Sequence, residues 1–309
     1  MESQNNTIQT EKRKFRLYEH PWLSLLAVLV TYLVSINLAG TVIFGVMGLP
    51  GDSPVVGLAL LTSYHIMTVL ILVLVLRLPK GKRPFRQFLD DIGLTRVKPF
   101  VRLVLLTLSC YLILALSQVG ASFVYRLFEG LTVTWSFVQQ AFDLSSVLPS
   151  SSPSLYISIP SFFEEMAFRG ILLTVFLSRY SERKSIIFSA LGFGLFHLPF
   201  LFMGQDPVWT LGQVVWAFII GLFYGYVFVR TRSLLPSMII HYLSNVFISL
   251  LSGYMQSRAS IEIQALYGVI LSIGVVPTTL MILWARFFSS KWLPGDFNRG
   301  SRMLQEHSL

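Results

Sequence analysis

Residues 161–170 read SFFEEMAFRG, two adjacent carboxylates and an arginine set between the apolar runs SLYISIP and ILLTVFL. Ionised side chains at bilayer depth are costly, and those that occur face the protein interior or a wet cavity and mark function. The composition of the whole chain makes a bilayer the expected setting. Of its 309 residues 54% are hydrophobic and 13% charged, which is outside the range of soluble domains and typical of a polytopic membrane protein. A net charge of +9 raises the question of nucleic acid. The excess lies in connections beside apolar segments, where it orients a membrane protein, so no nucleic-acid partner is expected. The single cysteine, Cys110, lies in an apolar run; a disulfide framework and a CxxC site are excluded, and Cys110 reads as a packing residue.

Eight apolar segments reach the length of about 20 residues that a helix needs to cross a bilayer. They are 22–47, 55–77, 102–125, 153–177, 185–203, 209–229, 233–253 and 264–286. The expected fold is therefore all-α, a polytopic membrane protein of eight transmembrane helices. It comprises a basic N-terminus (1–21), one transmembrane domain (22–286) and a tail (287–309). With alternating orientation, 21 of the 24 Lys and Arg residues fall on one side, which the positive-inside rule makes cytoplasmic, termini included. The first apolar run is too long for a signal-peptide core and reads as a retained anchor. The connection 78–101 is basic with interspersed aromatics. It fits either an amphipathic segment on the anionic membrane surface or a solvated connector.

Within the spans the strongly polar residues are His65, Glu164, Glu165, Arg169, His197, His241 and Asn245. At a rise of about 1.5 Å per residue, Glu164 lies about 20 Å from the expected helix end at Leu177, His197 about 18 Å from Ser185, and His241 and Asn245 about 12 and 18 Å from Ser233. Three helices thus bring polar groups to one level. Glu165 and Arg169 are i, i+4 with the acid first, the favourable order for an ion pair. Glu164 is turned about 100° from Glu165 and stays available to a cavity. Pro160 and Pro199 flank the polar positions and open the helices there. A carboxylate and an imidazole sharing a water form a general-base pair for hydrolysis, with a second histidine and an asparagine as oxyanion donors. The same Glu164, His197 and His241 also suit a zinc ion with water in the fourth place. HExxH and GxSxG are both absent, so zincin and serine-elbow chemistry lack support.

Read in order, Glu164-Glu165-Met166-Ala167-Phe168-Arg169 (EExxxR), Phe193 to His197 (FxxxH) and His241 to Asn245 (HxxxN) resemble the CAAX prenyl protease and bacteriocin-processing family, also called the Abi family of intramembrane proteases. The motif region is 153–253. The resemblance implies an eight-helix fold around an intramembrane catalytic cavity open to the cytoplasm. The implied activity is a peptidase acting on a membrane-associated protein or peptide, either a prenylated CAAX protein or a bacteriocin-like precursor. It implies that Glu164 and His197 activate water, that His241 and Asn245 form the oxyanion hole, and that Glu165 and Arg169 support them. A metal-free glutamate mechanism is expected, with zinc the alternative cofactor and metallopeptidase the older classification. The expected location is a membrane, specifically a bacterial plasma membrane.

Blander readings stand beside these. Aligned intramembrane charges also suit a transporter or channel, and the fold could serve as a non-catalytic scaffold or immunity protein. His65 matches no motif and reads as packing or pore-facing, without a role. Gly221 and Gly225 read as a close helix contact. Phe193 and Phe196 read as wall or core.

Overall fold

The computed structural model describes residues 17–51, 53–76, 85–128, 158–203, 205–255 and 274–293, with a few single positions between 130 and 155. Among these residues the regular structure is entirely helical. Helix α1 (Pro21–Gly40) continues into a π-helical turn, Thr41–Val46. It is followed by α2 (Pro54–Leu76), the short α3 (Phe85–Asp91) and α4 (Phe100–Phe128). Helix α5 opens over Pro160–Glu165, widens to π form over Met166–Leu173 and closes at Thr174–Leu177. Then come α6 (Glu182–Leu195), a 3₁₀ stretch Leu198–Met203, α7 (Pro207–Thr231), α8 (Leu235–Met255) and α9 (Val276–Trp292).

Prolines set most of the starts. Pro21, Pro54, Pro160, Pro207 and Pro277 each stand at the first or second position of a helix, where the missing N–H costs nothing and the fixed φ is already helical. At α7 the Asp206 side chain also caps the start by accepting from the Trp209 N–H at 2.9 Å,.

Among the described residues, five stretches are long and apolar enough to cross a membrane: Pro21–Val46, Val55–Leu74, Phe100–Ser117, Glu182–Phe202 and Pro207–Thr231. They correspond to the first, second, third, fifth and sixth of the eight expected spans. The other three differ for identifiable reasons. The fourth starts only at Pro160 and carries Glu164, Glu165 and Arg169. The seventh is α8, whose side chains are described as far as Val246. The eighth is helical over Val276–Trp292, past the expected end at 286, while 264–273 lie outside the described residues. The basic N-terminus to residue 16, the connection 77–84 and the tail from 294 also lie outside them.

Helix α4 shows why this is a membrane protein and not an inside-out count of hydrophobes. Leu103, Leu106, Cys110 and Leu114 are buried on one face, while Val101, Leu105, Leu108, Leu112 and Leu116 are exposed on the other. Both faces repeat at helical spacing, so the helix is apolar all round, as a span between protein and lipid must be. Cys110 is buried and free, in keeping with a packing role.

Helix α5 lies at the centre, against α2, α6 and α8, and α4 supports α8 and α9. The closest pairing is α6 with α7, through small residues as expected: a Cβ on Gly221 would meet Ala190 Cβ at 3.2 Å, and one on Gly225 would meet Ile186 Cγ2 at 3.2 Å. The segment from α3 to α4 is more than a solvated linker. Phe88 in α3 and Ile92 after it are buried in the core. The Arg96 guanidinium, hydrogen-bonded to Asp90 at 2.9 and 3.1 Å, holds that carboxyl below its ordinary value. Gly93, at φ +79°, accepts from the Leu234 N–H at 3.0 Å and so fixes the turn that launches α8.

Gly93 is the position where this turn has no room. A Cβ there would lie 2.8 Å from the Arg232 carbonyl oxygen and from Phe228 Cε2. Left-handed φ alone costs a non-glycine residue about 1–2 kcal/mol. Gly93→Ala is therefore expected to lower the thermal unfolding midpoint of the purified protein by at least that amount of stability, while Gly57→Ala, which has open space around it, leaves it unchanged.

Candidate active site

The doublet divides as its helical phase requires. Glu165 and Arg169 are fully buried and joined, Arg169 Nη1 donating to Glu165 Oε1 at 2.9 Å. Arg169 Nη2 reaches the Gly221 carbonyl at 3.4 Å, and the guanidinium lies over the rings of Phe193 at 4.2 Å and Tyr224 at 5.1 Å. Gly221 leaves the space this needs, since a Cβ there would sit 3.1 Å from Nη2. The π-helical stretch begins immediately after Glu165; such insertions widen a helix locally and are frequent at functional sites.

Glu165 does more than pair with arginine. His241 Nδ1 lies 3.0 Å from the same Oε1. A carboxylate bound to an arginine can only accept, so His241 carries its proton on Nδ1 and turns Nε2 the other way. That atom is 3.8 Å from Glu164 Oε2. The ring is held by stacking on Tyr224, with centroids 5.2 Å apart, and edge-on by Phe193 at 5.6 Å. His197 sits just past the last residue of α6. Its Nδ1 donates to the Phe193 carbonyl at 2.9 Å, which leaves Nε2 for a ligand, and it stands close enough to Glu164 for their charges to interact. Asn245 follows His241 by one turn of α8 and is half-buried. Phe193 and Phe196 are buried ring contacts of the histidines, as read from the sequence.

His65, read from the sequence as packing or pore-facing, is packed and also contacts Glu164: its Nε2 lies 3.1 Å from Glu164 Oε1, and its Nδ1 is 2.7 Å from the Leu61 carbonyl. It is 4% exposed, and the Glu164 side chain 13%. Glu164, expected to face a cavity and a partner there, has a histidine on the side of each oxygen. A signal for His65 existed. It lies 11 residues before the end of α2 at Leu76, about 17 Å deep, the level of the other polar groups. Without a motif around it, the sequence does not connect it to them. The zinc alternative asks Glu164, His197 and His241 to share one ion. Among the described residues, no three His, Cys, Asp or Glu side chains are grouped to hold one.

Residues 153–247 match the family model described as type II CAAX prenyl endopeptidase Rce1-like. The matched segment contains the EExxxR, FxxxH and HxxxN residues and is similar to a protease family, which implies hydrolase chemistry in an integral membrane protein. No curated protein and no solved structure matches the chain.

Arg169 is the side chain whose loss the site should tolerate least. Removing one partner of a buried pair strands the other charge at a cost of about 3–5 kcal/mol, whereas replacing both is far milder. Arg169→Leu is expected to lower the thermal midpoint sharply, and Glu165→Leu added to it to restore much of the loss. A single substitution as mild as the double one would show that the pair does not hold the helix.

Proposed function

We propose that this chain is an intramembrane endopeptidase that uses a metal-free, glutamate-activated water to cut a membrane-associated protein or peptide. The observation that carries this reading is the buried Glu164, facing histidines from separate helices, inside a segment similar to prenyl endopeptidases. Glu164 Oε2 and His197 Nε2 take the water between them, and Glu164 receives its proton as the oxygen attacks the scissile carbonyl. His241 has committed Nδ1 to Glu165, so Nε2 is its one atom for substrate; there, with the Asn245 carboxamide, it forms the hole for the tetrahedral oxyanion. Glu164 then passes the proton to the departing amine, which balances the step. Glu165 and Arg169 fix the helix and the His241 ring.

The substrate class is a CAAX-type prenylated protein, with a bacteriocin-like precursor as the alternative source of the same kind of membrane-bound peptide. The segment's similarity to a prenyl endopeptidase family favours the former. An eight-span layout with both termini cytoplasmic, in a bacterial plasma membrane, follows from the Lys and Arg distribution and the resemblance in sequence. The basic residues serve that orientation, leaving the bilayer and the peptide as the partners and no nucleic acid.

Glu164→Ala, His197→Ala and His241→Ala are each expected to lower cleavage by about 100-fold or more while the protein stays in the membrane. Mass spectrometry of membrane-protein termini, from cells carrying the wild type and each variant, reads this directly. Identical termini with wild type and Glu164→Ala would sink the peptidase reading.

A further inference from the structure

The motif-bearing segment that resembles proteases ends the site at three helices, but the site itself has a fourth wall. His65 comes from α2, outside residues 153–247, and makes the shortest contact any histidine makes with Glu164. Its surroundings fix its protonation. The Leu61 carbonyl at 2.7 Å can only accept, so Nδ1 of His65 bears a hydrogen,. Nε2 then faces Glu164 Oε1 at 3.1 Å. Two bare lone pairs would repel at that distance, so a single proton lies between them, and the two side chains together carry no net charge.

Resting on the peptidase reading, where Glu164 must be ionised to take a proton from water, we infer that His65 is a positioning residue for Glu164, donating from Nε2 to Oε1. Three consequences follow. The carboxylate cannot rotate, because Oε1 is tied to α2. Oε2, on the side of His241 Nε2, becomes the atom that meets the water. The buried negative charge is offset by a partner that makes no contact with substrate. The imidazole is itself held in place: Tyr64 packs beside it at 4.3 Å between centroids, and Tyr32 and Phe196 close the shell at 6.2 Å. Tyr32 belongs to α1 and Tyr64 to α2, so the first two helices serve the site through this one ring.

The test uses full-length protein in detergent with a farnesylated, internally quenched peptide ending in a CAAX sequence. His65→Phe keeps bulk and removes the donor, while His65→Gln keeps an N–H at similar reach. Misplacing a reacting group by about 1 Å costs on the order of 100-fold. His65→Phe is therefore expected to lose about 10- to 100-fold in kcat with KM within about threefold of wild type, measured below its thermal midpoint, which falls because the Glu164 charge loses its partner. His65→Gln is expected to recover most of that loss. A His65→Phe protein with wild-type kcat would overturn the inference, and so would His65→Gln as slow as His65→Phe, since a mere packing role would not distinguish donors. If His65→Phe does not accumulate, His65→Leu against His65→Gln gives the same comparison. Wild type inactive on the peptide, or Glu164→Ala as active as wild type, counts against the peptidase reading and takes this inference with it. An active wild type, dead Glu164→Ala and fully active His65→Phe reject the His65 role alone.

Discussion

A fully buried arginine is among the most demanding groups a helix can carry, and Arg169 sets the terms for everything near it. Its charge is met by Glu165 one turn back, by the Gly221 carbonyl and by the faces of Phe193 and Tyr224. Each of those partners constrains another element. Glu165 shares its oxygen with His241 and so binds α5 to α8. Gly221 forces α7 close to α6. Phe193 places its carbonyl where His197 uses it. The ion pair is therefore a hub through which four helices agree on a geometry; its value is this specification of one arrangement more than any net gain in stability.

The three histidines follow one rule. Each anchors Nδ1 on a fixed oxygen: Leu61 for His65, Phe193 for His197 and Glu165 for His241. Each thereby turns Nε2 away from its anchor, and that of His65 meets Glu164 Oε1. Two of these anchors are carbonyls four residues back on the same chain, which makes them products of local helical geometry. The third is a carboxylate on another helix. Rings anchored in advance in this way need little reorganisation to answer a nearby charge.

The halves of the chain contribute differently. The segment 153–247 holds the residues of the three motifs and resembles a protease family. Helices α1 and α2 lie outside it yet supply His65 and the aromatic shell around it. The connection 78–101, read from composition as either surface-bound or solvated, buries Phe88 in α3 and Ile92 after it, and fixes the start of α8 through Gly93. These contributions come from helices whose job, by composition, is to face lipid.

Much of the site could be read from one dimension. The i, i+4 spacing alone dictates that Glu165 and Arg169 share a face, because helical phase is local and an unpaired charge in an apolar helix is too costly to leave. Depth along a helix is also local, so the common level of Glu164, His197, His241 and Asn245 follows from counting residues. Span number was less secure, since hydropathy counts an apolar run without knowing that Pro160 starts a helix or that its next turns open into π form. What sequence could not decide was which groups meet across helices. His65 and Glu164 are 99 residues apart, and nothing in either neighbourhood encodes the rotation of α2 against α5. That rotation is set by side-chain packing between helices. It alone turned an unassigned histidine into the nearest partner of Glu164 and set Oε1 against His65, with Oε2 on the side of His241.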